Sequence, residues 1–584
     1  MDAVILYVNG DDPTFIKEWR NAKSKIQHIP SATRNCRIRD WGTLQYLLRS
    51  IDKFAPFIDK VHLVVKSHSQ VPRYIDTQKV HIVLESEIIP QKYYPVFNSR
   101  SIEYFLHNIS GLSEQFVYFN DDMLFFDKIK EEDLFVQGKP CYKLIEHEIN
   151  DNANMPDLYY VPYRENARKA FEISNKKFDR WFELNHGCCP LLKSQCKKVY
   201  DILESEMDGH INTFRHNNDW YHSLYINYMY INGMTHEYDC PNRYYIFNKN
   251  VDEIYVDITH PRKIKQICIN DVNVPDEKYF LYRKRINDAL NMVFPEICKF
   301  EKCKCAICVV VKNENKYLKE FCEYHLLLGF DHIFVYDNND IDGENPKDVL
   351  TLDCITVINC RGQKNCQHKV YNECYKKYGN IFDWIAFIDC DEFIKLQHKK
   401  SIKSFLLQDF FRYVDGIHLH WKVFGDNNKL YYEEGNVRNR FTKPSPDVRY
   451  YEYCFCENDH VKSIIRTKRP NIFFDYHKYG YVHTPKNLKN CVDNIGNPVP
   501  NISRYKYNWT DAYIEHYITK SVDEYCKKIL RGYPDNTVMN RHQFKKLLDK
   551  FFAINEYTYE KYEIVKKYFP WYIYNEEESF YKKI

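Results

Sequence analysis

Twice along this chain a short apolar run ends in a polar loop and gives way to an amphipathic stretch, and that alternation limits the fold more than any other feature. The first series opens with Ala3-Val4-Ile5-Leu6-Tyr7-Val8. It continues with Val61-His62-Leu63-Val64-Val65, Val80-His81-Ile82-Val83-Leu84 and Phe116-Val117-Tyr118-Phe119. Helical spacing fills 44–54 and 101–108 between them. The second series starts at Ala306-Ile307-Cys308-Val309-Val310-Val311 and passes through a helix over 318–328. Its later runs are His332-Ile333-Phe334-Val335-Tyr336 and Trp384-Ile385-Ala386-Phe387-Ile388. Apolar strands alternating with helices predict mostly parallel sheets covered by helices. The expected fold class is therefore α/β, with two Rossmann-like domains at 1–302 and 303–534 and a helical extension at 535–584. The boundary is set where Phe294-Pro295-Glu296 ends a helix ahead of a Lys/Cys-rich stretch.

Composition removes several classes of function. Apolar residues make up 44% and charged residues 28%, so the chain can bury cores and is too apolar for disorder. Lys+Arg total 83 against 80 Asp+Glu, a balance that offers no basic footprint for nucleic acid and no polybasic membrane patch. No window approaches the length of a membrane span. The opening run lacks a basic leader and ends in Gly10-Asp11-Asp12-Pro13, which predicts a cytoplasmic protein whose 21 cysteines are mostly free thiols. Cys298, Cys303, Cys305 and Cys308 do not have the spacing of a paired Cys-x-x-Cys zinc site.

In open α/β sheets ligands bind at the carboxyl ends of strands, so polar residues just after strands are the candidates for chemistry. The run at 116–119 ends in Asn120-Asp121-Asp122, two adjacent carboxylates that suit magnesium or manganese against a diphosphate. Alone, such a triplet is more often a turn. It has ordered company. Asn9-Gly10-Asp11-Asp12-Pro13 and Arg37-Ile38-Arg39-Asp40 precede the helix carrying Gln45 and Arg49. Phe97-Asn98-Ser99 and Ile102-Glu103 follow, ahead of Gly111-Leu112-Ser113. Further on stand Asn185-His186-Gly187, Phe214-Arg215-His216-Asn217-Asn218-Asp219, and Asn270-Asp271.

This ordered set resembles the signature blocks of the Stealth family, which includes bacterial capsule sugar-phosphate polymerases and the catalytic subunit of a GlcNAc-1-phosphotransferase. The resemblance covers residues 2–301. It departs from the family pattern at Tyr7, Gln45 and Ile297-Cys298. It implies that Glu103, Asp122, His186 and Arg215 are catalytic and that Asp121 and Asp122 hold the metal. Asp2, Asn9 and Arg49 are implied at the substrate. The family moves a sugar-1-phosphate from a nucleotide-diphosphate sugar to a hydroxyl. A histidine near neutrality suits removal of the hydroxyl proton, and an arginine fork with a carboxylate-held metal suits the pyrophosphate charge.

The second series carries Asp337 at one strand end and Asp389-Cys390-Asp391-Glu392-Phe393 at another. Asp-x-Asp after a buried strand is a device for holding a divalent ion against a donor diphosphate. With Trp421-Lys422-Val423-Phe424-Gly425, Lys462-Ser463-Ile464 and His516-Tyr517 it resembles the family 92-like, fold-A glycosyltransferases over 304–535. That resemblance implies metal at Asp389 and Asp391 and nucleotide near Asp337. His477, His483 and His516 are further candidate ligands. Asp426, Glu434 and Asp475 are open choices for an acceptor base.

The combined expectation is a bifunctional glycan-building enzyme for a capsule-like or surface polysaccharide. Its ligands would be a nucleotide-sugar donor, a glycan acceptor and Mg or Mn. The alternative keeps one domain catalytic and makes the other a glycan-binding or positioning module.

Overall fold

Each of those apolar runs folds as a strand. In the first unit of the computed structural model these are β1 (Asp2–Leu6), β2 (Lys60–Val65), β3 (Val80–Leu84) and β4 (Gln115–Asn120), joined later by β5 (Cys189–Leu192). They form one sheet in the order β5-β4-β1-β2-β3. The pairs β1–β2, β1–β4 and β2–β3 are parallel, and β5 runs antiparallel to β4. The structure describes residues 1–583 except 27–30, 152–157, 185, 239–241, 247–250, 261–263, 272–273, 451–455, 476–483, 503 and 533–538. Contacts divide the chain into two units, Met1–Lys302 and Cys303–Ile584.

Alternation along the first strands shows why they read as continuous apolar runs. Val4, Leu6, Phe116 and Tyr118 belong to one core cluster; Ala3, Ile5, Val117 and Phe119 belong to another. Both faces of the sheet are covered, so no position along the strand can be polar without cost. Helix α1 (Leu44–Phe54) closes the second face with Leu44, Leu47, Leu48 and Ile51, the i, i+3, i+4, i+7 stripe of an amphipathic helix. The expected helix at 101–108 is instead a short α-helix, Ser99–Glu103, followed by a 3-10 turn at Leu106–Asn108.

Arg49 corrects the expectation made for it. It lies on α1 with its side chain 2% exposed, and its guanidinium donates to both carboxylate oxygens of Glu301, at 2.8 and 2.9 Å, and to the Phe294 carbonyl at 2.9 Å. A guanidinium committed in this way has no fork left for a substrate phosphate; the residue staples α1 to the end of the unit. Arg49→Met leaves Glu301 buried and unpaired and is expected to cost about 3–5 kcal/mol. Chemical denaturation of R49M, E301Q and the double variant checks this. The double variant should recover most of the loss, and equal destabilisation by all three would refute the staple.

The second unit follows the same logic with a larger, mixed sheet. Its strands are β6 (Cys305–Val311), β7 (His332–Asp337), β8 (Ile355–Asn359), β9 (Trp384–Phe387), β10 (Glu392–Leu396), β11 (Gly416–Val423), β12 (Val461–Arg466) and β13 (Ala512–His516). They are ordered β8-β7-β6-β9-β12-β11-β13-β10, with the short strand Cys491–Val492 beside β11. The first four are parallel to one another; β12 pairs antiparallel with both β9 and β11. Ile307, Val309 and Val311 face one core cluster, and Ala306, Cys308 and Val310 the other. Helix α2 (Asn315–Leu327) packs Leu318, Phe321 and Cys322 on the first of these. Helix α3 (Val522–Arg531) follows β13.

The tail carries helices Arg541–Ile554 and Tyr559–Tyr568, and a final strand, Tyr581–Lys583, that pairs with Val448–Tyr450. Lys561 from this tail holds Asp426 in a buried ion pair at 2.8 Å. Asp426 is therefore engaged as a structural anchor, its Oδ1 also accepting from Asn428 N–H at 2.9 Å. Among the described residues no helix is long and apolar enough to cross a membrane.

Candidate functional site

The carboxyl ends of β1 and β4 meet, since Leu6 pairs with Asn120. Asn120-Asp121-Asp122 leaves the sheet there, and the backbone turns at once into Met123–Phe125, which pairs antiparallel with Gln266–Asn270. The Asp122 carbonyl accepts from Ile269 N–H at 2.9 Å. This pairing holds the Asp122 carboxylate beside the Cys268 thiol. Burial pushes the acid up to about 7, a rise that Cys268 and the charge of Arg215 only partly offset. Its Oδ1 is buried without a hydrogen-bond partner.

Glu103 ends the helix Ser99–Glu103, whose first turn is capped by Asn98. The carboxylate is buried. Its Oε1 lies 2.9 Å from the Tyr118 hydroxyl on β4, which is also 2.6 Å from Asn120 Oδ1. Its Oε2 is 2.5 Å from Nδ1 of His222, at the start of the helix His222–Ile231. Burial works against its charge, but His222, Tyr118 and Arg215 hold Glu103 below the usual glutamate range. Burial likewise disfavours the imidazolium of His222, yet Cys189 and Glu103 raise it to about 10.

Arg215 sits on the loop before that helix. Asp219 pins the loop: its carboxylate accepts from His216 N–H at 2.8 Å, Asn98 Nδ2 at 2.9 Å and Asn212 Nδ2 at 2.8 Å. The Arg215 Nη2 then reaches Ser99 Oγ at 3.1 Å. Burial, with Arg37 and Arg100 nearby, lowers Arg215 to about 9. An arginine made this uncomfortable by its surroundings gains from an arriving anion. Arg100 adds to the cluster, with a buried Nη1 that makes no hydrogen bond and stands 3.9 Å from Asp219.

His186 completes the group. Its ring stacks near Tyr159 with centroids 6.0 Å apart. Burial first, then the charges of His222 and Arg215, depress it to about 4, so the imidazole is neutral at pH 7 and able to take a proton. Glu103, Asp122 and His186, far apart in sequence, thus each lie within electrostatic reach of Arg215, and His186 also within reach of Glu103. Asp121 lies beside Asp122 at the same strand end. Asp122 Oδ1, buried without a hydrogen-bond partner, is the one feature of this strand end that a divalent cation would satisfy; among the described residues no group of three or more His, Cys, Asp or Glu side chains is gathered to hold one.

Two substrate expectations fare differently. Asn9 follows β1 at the carboxyl edge, where its Oδ1 accepts from Asp11 N–H and its carbonyl from Gln70 Nε2. Asp2 does not belong to this edge. It pairs with Phe116 at the amino end of the sheet, about 13 Å down the strand at ~3.3 Å per residue. There its carboxylate accepts from Ser113 N–H and Oγ at 2.9 Å and meets His62 Nε2 at 3.0 Å. Its place at the start of the opening strand, rather than the end, is the reason. His222 and Arg100 were not anticipated; the one available signal was their position beside blocks already singled out.

In the second unit Asp337 ends β7, where Arg361 Nε meets its Oδ2 at 2.7 Å and Asn339 its Oδ1 at 2.7 Å. Asp389 follows β9 and Asp391 precedes β10, as expected. Their surroundings were not. Lys462 Nζ lies 2.6 Å from Asp389 Oδ2 and 3.3 Å from Glu392 Oε2, and Lys528 Nζ lies 2.5 Å from Asp391 Oδ2. Burial opposes ionisation of Asp391, but Lys528, His516 and Lys520 hold it far below the carboxylate range. His516 Nε2 is 3.8 Å from Asp391. The expected divalent ion does not fit this donor set: each aspartate already has an ammonium at hydrogen-bond distance. Glu434 is exposed, Asp475 pairs with Lys486 at 2.5 Å, and His477 and His483 lie outside the described residues.

Residues 37–142 match a family model described as Stealth protein CR2, conserved region 2. The stretch contains Glu103, Asp121 and Asp122. A capsular polysaccharide phosphotransferase, CpsJ of Streptococcus thermophilus, is 34% identical over 195 residues, 80% of that protein and 32% of this chain. The exopolysaccharide phosphotransferase cps2G of Lactiplantibacillus plantarum is 26% identical over 336 residues, 96% of that protein and 52% of this chain. A solved glycosyltransferase, GlyE of Streptococcus pneumoniae, covers 63% of this chain and 82% of its own at 13% identity and a TM-score of 0.23, a likeness too slight to argue from. The chain is a transferase, and by its CR2 region and its capsular phosphotransferase relatives it belongs to the Stealth family.

Proposed function

We propose that the first unit transfers a hexose-1-phosphate, such as GlcNAc-1-phosphate, from a nucleotide-diphosphate sugar to a hydroxyl of a glycan acceptor, in synthesis of a capsule-like polysaccharide. The observation that carries this is the neutral His186 within reach of the strained cation Arg215 and of Glu103. The acceptor oxygen attacks the β-phosphorus, the bond from that phosphorus to the bridging oxygen breaks, and nucleoside monophosphate leaves with the electron pair. His186 takes the hydroxyl proton, and Arg215 neutralises charge on the phosphoryl oxygens. An incoming diphosphate would offset the charges of His222 and Arg215 and so raise the basicity of His186 as the substrate docks. Glu103 keeps His222 charged and in place. Asp121 and Asp122 would hold the divalent cation.

The second unit, with its Asp389-Cys390-Asp391 strand end and mixed sheet, is read as a nucleotide-sugar glycosyltransferase. The lysine pairing at that strand end also favours a second reading, in which this unit positions glycan without chemistry. One assay separates them. Nucleotide sugars are incubated with an acceptor glycan, and the released nucleotide is identified. Monophosphate release supports the first unit's activity, and its absence with every donor would refute it. Diphosphate release, spared by Asp122→Asn and lost in Asp389→Asn/Asp391→Asn, supports a transferase in the second unit; none supports a positioning module.

A further inference from the structure

The carboxylates at the end of β9 carry their own counter-ions, and the most buried of these cannot leave. Lys462, on β12 beside β9, has a side chain of 0% exposure and bridges Asp389 and Glu392. To make way for a metal it would have to abandon both partners inside the unit, stranding a buried ammonium. Lys528, on α3, bonds Asp391 and the Ile518 carbonyl. A dication seated between the two aspartates would lie within a few ångströms of both ammoniums, at separations where like charges repel strongly. Three residues along α3, Arg531 bonds Glu314 and the Asn313 carbonyl. Lys528 and Arg531 are the partly open cations of this cluster, 14% and 20% exposed, and they share one face of α3 at i, i+3.

We infer that the second unit binds a nucleoside diphosphate through Lys528 and Arg531 without a divalent ion, Lys462 standing where the metal charge would be. This rests on the reading of that unit as a nucleotide-sugar transferase. A fixed ammonium supplies the local positive charge that a metal supplies elsewhere, and the two partly open cations can each lend a donor to phosphate oxygens while keeping their carboxylate partners.

The test uses the full-length chain and two probes. Manganese alone is titrated by calorimetry and by paramagnetic resonance, and UDP, GDP and ADP are titrated in EDTA. Asp389→Asn/Asp391→Asn should bind as many Mn2+ as the wild type. Lys528→Met should weaken nucleoside diphosphate binding in EDTA by about tenfold, with Lys528→Arg restoring most of it and guarding against misfolding. Loss of one Mn2+ in the double variant, or diphosphate binding that requires Mn2+ and vanishes in that variant, overturns the metal-free site while keeping the transferase reading. If none of the three nucleotides binds with or without Mn2+, both fall.

Discussion

His186→Ala should lower the proposed sugar-phosphate transfer by roughly 10²–10⁴-fold, the range for removal of a positioned general base. The imidazole is neutral because burial and two neighbouring cations hold it at about 4, so at pH 7 it enters the reaction as an acceptor. Alanine deletes that acceptor without adding charge, and the sheet carrying Asp122 makes its own hydrogen bonds. Monophosphate release under single-turnover conditions measures the effect, with circular dichroism to show that the chain remains folded. Arg215→Ala should lose a comparable factor through charge stabilisation. A His186→Ala enzyme that kept more than about half the wild-type rate would end the assignment of this residue as the base.

Asp122→Asn should abolish transfer and stabilise the first unit, two effects expected together of a strained functional carboxylate. Burial raises this acid to about 7 in the folded chain, against an ordinary value near 4 when unfolded. A raised folded pKa means that the folded state prefers the protonated form. The stability linked to that proton is whole below about pH 4 and is lost as pH rises through about 7. At pH 8 the wild type therefore carries an ionised, poorly solvated carboxylate, at a cost of at most about 4 kcal/mol by linkage. Asparagine has no charge to bury. The variant should unfold at higher denaturant than the wild type at pH 8, with the difference closing toward pH 4. Manganese should raise the wild-type midpoint at pH 8 and leave the variant unmoved. A variant less stable than wild type at pH 8 would refute the account of Asp122 as a strained metal ligand.

Several features of this molecule could be read from local pattern alone. The strands are legible because both faces of each sheet are covered, which forces uninterrupted apolar runs such as Ala3–Leu6 and Ala306–Val311. The helix carrying Leu44, Leu47, Leu48 and Ile51 is legible because one stripe of it meets the sheet. Asp122, Asp389 and Asp391 are legible because a carboxylate just past a buried strand must emerge at the ligand-binding edge. Arg49 was placed at the substrate by the family resemblance, and its local sequence could not correct that, because a charged residue inside an apolar helix announces a partner but not which one. Its partner, Glu301, arrives from the far end of the unit.

The order of strands and helices, the strand-end carboxylates, and the Stealth CR2 region carrying Glu103 and Asp122 could thus be read from the chain alone. What only the tertiary structure decided is which edge Asp2 lies on, that His222 charges Glu103's side of the site, and that Lys462 and Lys528 already neutralise Asp389 and Asp391. Periodicity is a local consequence of burial and can be read residue by residue. Counter-ions, register and pKa are set by groups brought within a few ångströms from distant parts of the chain, and no local pattern records that distance.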